Sequence, residues 1–249
     1  MILNGKNAIV TGCSRGIGLS IAELLSEQGA NIIAAARDLD KLELSTANLP
    51  SCLRVQADVT DPVQAHNLIL KAVNNQKVID IIVCNVGSGA SVAPGSETIE
   101  EWHRMFALNF YSAVNVIEAA KPFLQRGASI VCISSICGNE TIPGAPVAYS
   151  TAKSALNSYV NSISRYFGKH GIRINGVAPG NVLFPGSVWD LKMRSNPRAT
   201  SDIIKTEVPM SDFATTKDIA EAVLWLVSEK SKFVNGSIYT VDGGQTRSL

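Results

Sequence analysis

Charge is scarce and evenly balanced in this chain. Its 22 Lys and Arg face 21 Asp and Glu, a formal net charge of +1, with no cationic stripe of the kind that tracks a phosphate backbone. Nucleic acid is therefore not an expected partner. No apolar run approaches the roughly 18 residues of a membrane span, and the N-terminal Met1-Ile-Leu-Asn-Gly-Lys6 lacks the layout of a secretory leader. A cytoplasmic protein that works off the membrane is expected. Cys13, Cys52, Cys84, Cys132 and Cys137 are odd in number and form no Cys-x-x-Cys, and His66, His103 and His170 show no ligand spacing. Neither a disulfide framework nor a metal site is expected. Sequons at Asn139 and Asn235 carry meaning only in a secreted chain. Linkers and low-complexity runs are missing as well. With 249 residues, 46% apolar and 17% charged, the chain reads as one packed domain, 1–249.

What is present is an alternation. Short apolar, β-branched runs occur at 7–11, 30–36, 53–57, 79–84, 129–134, 173–178 and 237–241, and amphipathic segments lie at about 17–27, 61–75, 99–123, 148–169 and 216–229. Continuous apolar strands alternating with helices predict an α/β fold: a doubly wound, Rossmann-like parallel sheet covered on both faces. Ligands of such sheets lie beyond the carboxyl ends of the strands. That rule selects 12–18, 37, 58, 85–95, 134–146 and 179–212. The last stretch, rich in Pro and Gly and carrying Leu183, Phe184, Val188, Trp189 and Met193, is expected to be a long loop, with 183–212 as a substrate lid.

Thr11-Gly-Cys-Ser-Arg-Gly-Ile-Gly18 joins the first strand to the first helix. Gly12 permits a tight turn, Gly16 lets backbone approach a pyrophosphate, and Gly18 lets helix and sheet pack closely. Ser14, Arg15 and Ile17 complete the turn, whose exposed helix N–H groups face the anion. The second strand ends at Arg37 with no acid to meet a ribose 2′-hydroxyl, and Arg15 adds a second cation. NADP(H) is expected over NAD(H).

Tyr149-Ser-Thr-Ala-Lys153 places a phenol and an ammonium four residues apart, on one face of a helix. A phenol titrates near pH 10, and a fixed cation favours its phenolate, so Tyr149 is a candidate acid/base with Lys153 as its tuner. The helix candidates also lack charge, from Met105 to Ile117 and from Tyr149 to Ser164 apart from Lys153, as suits packing against another subunit.

In sequence order these matches, with Asp58-Val59, Asn85-Val-Gly87, Asn109, Ser134-Ser135, Pro179-Gly180 and Val241-Asp-Gly-Gly244, resemble the single-domain short-chain dehydrogenases/reductases over nearly the whole chain. The resemblance implies that Tyr149 gives a proton to a carbonyl oxygen or takes one from an alcohol, and that Ser135 hydrogen-bonds the same oxygen. It implies that Lys153 lowers the Tyr pKa and binds the nicotinamide ribose, while Asn109 holds a water linking Lys153 to solvent. Asp58 would cap the adenine with Val59 close by, and Asn85, Gly87, Pro179 and Gly180 would line the dinucleotide. Phe184 stands where the family commonly has a Thr for the carboxamide, leaving the backbone of Val182 to serve. The family further implies helices paired across a dimer and a chain end near 241–249 that closes a homotetramer. The overall look is to the 3-oxoacyl-carrier-protein reductases, acting on an acyl thioester. A sugar, polyol or other small-molecule alcohol remains open, as does a non-catalytic NADP-binding regulator.

Overall fold

The computed structural model describes residues 1–247; Ser248 and Leu249, the end of the tail expected to serve assembly, lie outside the described residues. Seven strands form one parallel sheet: β1 (Asn7–Thr11), β2 (Asn31–Ala36), β3 (Cys52–Gln56), β4 (Ile79–Cys84), β5 (Leu124–Ile133), β6 (Arg173–Pro179) and β7 (Ile238–Val241). Their order is β3-β2-β1-β4-β5-β6-β7. The doubly wound expectation holds. The order reverses between β1 and β4, which pair with Val10 opposite Val83, and this reversal opens the crevice at their carboxyl ends.

The period of two along each strand divides the core into two layers. Ile9 joins Ile33, Ile82 and Ile130 on one face, against Leu156, Val160 and Phe167 of the helix α6 (Val147–Lys169). Ala8 and Val10 join Ile32, Ala34, Val83 and Val131 on the other. There they meet Ile21 and Leu25 of α1 (Gly16–Glu27), with Val223 and Leu226 of the C-terminal helix at Thr216–Val227. Full burial of each such aliphatic side chain stabilises the fold by about 1.5–3 kcal/mol, and both layers fix the strand ends that carry the site.

Helix boundaries follow local chemistry. Asp38 caps α2 (Leu39–Ser45), Asp61 caps α3 (Pro62–Gln76), which has Pro at its first position, and Thr98 caps α4 (Ile99–Phe106). The helix expected at 99–123 is interrupted. A π-helical turn, Ala107–Tyr111, separates α4 from α5 (Ser112–Ala120), and a 3-10 turn closes it at Lys121–Phe123. The stretch expected as a long loop holds two further helices, α7 (Val188–Ser195) and α8 (Pro197–Glu207), with α9 (Thr216–Val227) following. Ser187 caps α7, and Asn196-Pro197 supplies both a cap and a first-turn proline for α8.

Candidate active site

Thr11 is the pin of the glycine turn. Its buried hydroxyl accepts from the backbone N–H of Asn85 at 3.0 Å and reaches the Val83 carbonyl at 3.4 Å, so the ends of β1 and β4 are tied together. The Asn85 amide in turn donates to the carbonyls of Thr11 (3.0 Å) and Gly12 (3.2 Å). Asn85 therefore braces the turn from beneath. Gly12, at φ +67, tolerates no side chain because a Cβ would fall 2.8 Å from the Asn85 amide nitrogen; at Gly18 the same atom would be 2.5 Å away. The close packing expected of Gly18 is against this amide and the turn. Helix α1 begins with no side-chain cap and no acid in its first turn. Its N–H groups are thus free for an anion. Together with glycines of positive φ at 12 and 16, they fit a dinucleotide pyrophosphate. Ser14 is half-exposed on the turn, while Ile17 packs on the core.

Arg15 and Arg37 are exposed at the mouth, and among the described residues neither pairs with a carboxylate. The nearest competitor, Asp38, is spent on the cap of α2 and on Lys41 at 2.8 Å. Arg15 instead donates to the carbonyl of Gly186 at 3.2 Å. One Asp58 oxygen accepts from the Thr60 N–H and hydroxyl at 3.0 and 2.7 Å. Val59 is buried in the core and its carbonyl takes the Asn115 amide. Gly180 donates to the Val241 carbonyl, and its open face lies against Asp242. Asp242 folds the Asp-Gly-Gly match into a turn through Gly244 and Thr246. Pro179 ends β6, and Val182 is buried and bridged to Ala214.

The other end of the crevice handles protons. Ser135, at the end of β5, is buried, and its hydroxyl accepts from the Cys137 N–H at 3.2 Å. The half-buried Tyr149, three residues into α6, lies close enough to Ser135 for that hydroxyl to act on its phenol. Lys153 is 3% exposed and donates to the Ile133 carbonyl at 2.8 Å. Burial lowers its pKa to about 8. Tyr149 departs from expectation. Burial pushes its phenol above the ordinary range, the Cys137 thiol pushes the same way, and only the Ser135 hydroxyl opposes them. Gly87 lies between the remaining groups, since a Cβ there would fall 2.9 Å from the Asn109 side-chain oxygen and 3.0 Å from the Lys153 ammonium.

Asn109 sits within the π-helical turn, buried, a position where such turns are frequent at functional sites. Its side chain clamps Ser88, accepting from that N–H at 2.9 Å and donating to that carbonyl at 3.1 Å. Sequence reasoning placed Thr11 in the glycine motif without a role of its own and missed Cys137 and Glu97. Helix α6 starts at Val147, where Pro146 before it offers no side-chain cap, and Glu97 supplies one from fifty residues away. One of its oxygens accepts from the Val147 N–H at 2.8 Å and the other from Gly95 at 2.8 Å. The 88–97 segment is thereby fastened to the first turn of the helix that carries Tyr149. No local signal marks Glu97, whereas a buried Thr closing a strand before glycine could have been noticed.

A family model described as enoyl-(acyl carrier protein) reductase matches residues 12–246. The 3-oxoacyl-(acyl-carrier-protein) reductase of Chlamydia trachomatis is 33% identical over 255 residues, covering 98% of this chain and 98% of its own. Galactitol 2-dehydrogenase of Agrobacterium fabrum is 31% identical over 256 residues, with the same coverage of each. Among solved structures, a short chain dehydrogenase from Burkholderia cenocepacia in complex with NADP has a TM-score of 0.91 at 25% identity, over 98% of this chain and 99% of that one.

Proposed function

Because this chain belongs to the short-chain dehydrogenase/reductase family of nicotinamide-dependent oxidoreductases, we propose that it interconverts a carbonyl and a secondary alcohol with NADP(H), Tyr149 being the acid/base. The observation that carries the reading is the convergence of Ser135, Tyr149 and Lys153 at the carboxyl ends of β4 and β5. The dinucleotide, when bound, supplies or accepts the hydride. Tyr149 gives its phenol proton to the carbonyl oxygen in reduction and recovers it in oxidation. Ser135 donates to the same oxygen, which is charge stabilisation by a group already in place. Lys153 keeps a positive charge beside the site and reaches the nicotinamide ribose; Asn109 holds the 87–88 backbone against it. Arg15 and Arg37, free of carboxylates, take the 2′-phosphate.

The substrate we infer is a 3-oxoacyl thioester, with 183–212 as its lid. Val92, Val147, Leu183 and Leu191 are exposed apolar residues in the segments around the site, which suits an acyl chain better than a polyol. A homotetramer is supported by the half-exposed Tyr111 in the uncharged stretch from Met105 to Ile117. A cytoplasmic setting is supported by the five free thiols. NADPH oxidation against 3-oxoacyl thioesters, ketoses and cyclic ketones tests the activity. Tyr149→Phe is expected to lower kcat/KM by about 10²–10⁴ with NADPH affinity kept, and wild-type rates in that variant would sink the mechanism. A monomer in sedimentation at micromolar protein would count against the assembly.

A further inference from the structure

The cradle for the pyrophosphate contains one disagreement with that purpose. Gly16, at φ +59, has no side chain on the face that a phosphate needs, yet the face is covered by another residue. A Cβ there would fall 2.7 Å from Cζ and 2.8 Å from Cδ2 of the Phe184 ring. The ring is held in place by its neighbours. Arg15 crosses from the glycine turn to the Gly186 carbonyl at 3.2 Å. Within the Phe184–Ser187 turn, Phe184 N–H donates to the Ser187 hydroxyl at 3.3 Å, and Ser187 N–H returns a bond to the Phe184 carbonyl at 2.9 Å. Ser187 also caps α7 through Asp190 N–H at 3.0 Å, and Gly186, at φ +77, donates to the Asp190 carboxylate at 2.7 Å. The turn and the start of α7 therefore form one braced unit, clasped to the glycine turn by a ring and a guanidinium.

We propose that Phe184 is a positioning residue whose ring shares the open face of Gly16 with the dinucleotide, so that cofactor binding exchanges one for the other and moves the 184–187 turn with α7. The inference rests on the dinucleotide reading above. Both clasps give way for a physical reason: an anionic phosphate is a stronger acceptor for Arg15 than the neutral Gly186 carbonyl, and a ring–glycine contact is less directional than a phosphate bound by helix N–H groups. Small shifts at the cofactor are thereby passed to the helices that flank the substrate side.

The test is stopped-flow binding of NADPH, read by nicotinamide fluorescence, to the wild type, Phe184→Ala and Phe184→Thr, two truncations guarding against one that fails to fold. A ring seated about nine-tenths of the time lowers apparent affinity about tenfold. Both variants are therefore expected to bind about tenfold tighter, with the gain in the association rate and the dissociation rate unchanged. Weaker binding through faster dissociation would mean that the ring packs on the bound cofactor, and that result or unaltered rates would overturn the proposal. Hydrogen exchange supplies a second reading. NADP⁺ should change the protection of amides 184–195 in the wild type, and Phe184→Ala alone should reproduce that change; identical protection with and without NADP⁺ overturns the exchange. A wild type that binds neither NADPH nor NADH overturns this inference together with the oxidoreductase reading. An enzyme that turns over while its Phe184 variants bind no tighter loses this inference alone.

Discussion

Replacing Lys153 by Met should make the protein more stable while removing its activity, and the size of the gain should depend on pH. Lys153 is 3% exposed, and among the described residues no carboxylate pairs with it; it donates to the Ile133 carbonyl at 2.8 Å. Burial brings its pKa down to about 8. Against an ordinary value near 10.4, that lowering corresponds to a cost of about 3 kcal/mol for keeping the charge folded at neutral pH. Met is of similar length and carries no charge, but it leaves the Ile133 carbonyl without its donor, a loss of about 1–2 kcal/mol. A net gain of about 1–2 kcal/mol follows, or roughly 2–8 °C in Tm for a chain of this size. The sign with pH is definite. Below pH 8 the lysine is charged in both states and the wild type bears the whole cost. Between about 8 and 10 the folded lysine is neutral while the unfolded one is charged, so wild-type stability climbs relative to Met. Above about 10 both are neutral and the cost has gone. Thermal melts from pH 6.5 to 10.5 at fixed protein concentration measure this. A variant that melts lower at pH 7, or a difference that does not change with pH, would refute the reasoning.

The same lysine shapes the rate. For carbonyl reduction, kcat/KM should fall as pH rises through about 8, where Lys153 loses its charge while the phenol of Tyr149 is still protonated; a profile flat to pH 10 would count against Lys153 acting as a cation. Arg37→Asp should raise the KM for NADPH by about tenfold or more, the scale of one charged hydrogen bond, and leave that for NADH equal or lower, read from initial rates with each cofactor. Equal losses with both would remove Arg37 from the phosphate site. Glu97→Ala should lower both Tm and kcat while NADPH affinity stays within about twofold, because it loosens the first turn of α6 and leaves the glycine turn alone. Unchanged kcat in that variant would show that the remote cap does not position Tyr149.

Legibility followed the range of the interactions. Strands and most helices were readable because their apolar periods are local: β1 matched at both ends, and α1 begins at Gly16, one residue before the expected start. The helices α7 and α8 were missed although Asn196-Pro197 is a start signal, since the proline and glycine density around them outweighed it. The π-helical turn at Asn109 has no sequence signature of its own. It arises where Asn109 and Ser112 turn inward to the 86–88 segment, contacts that span more than twenty residues. In the site, residue types were readable and their neighbours were not. Asn85 and Gly87 lie at the crevice, where one braces a turn and the other makes room for a lysine.

The largest departure, the raised phenol, has a consequence for direction. Sequence spacing alone says that an ammonium one helical turn away favours the phenolate. Folding adds a cost to every charge in the pocket, which moves Tyr149 up and Lys153 down together. Below about pH 8 the pair is then phenol and ammonium, and just above it phenol and amine. The chain's own groups favour the phenolate in neither range. Reduction of a carbonyl starts from the phenol and needs no prior deprotonation, whereas oxidation of an alcohol starts from the phenolate and must first overcome that burial. On the proposed mechanism, reduction at neutral pH is therefore expected to outpace oxidation, and initial rates in the two directions with the same carbonyl–alcohol pair measure this.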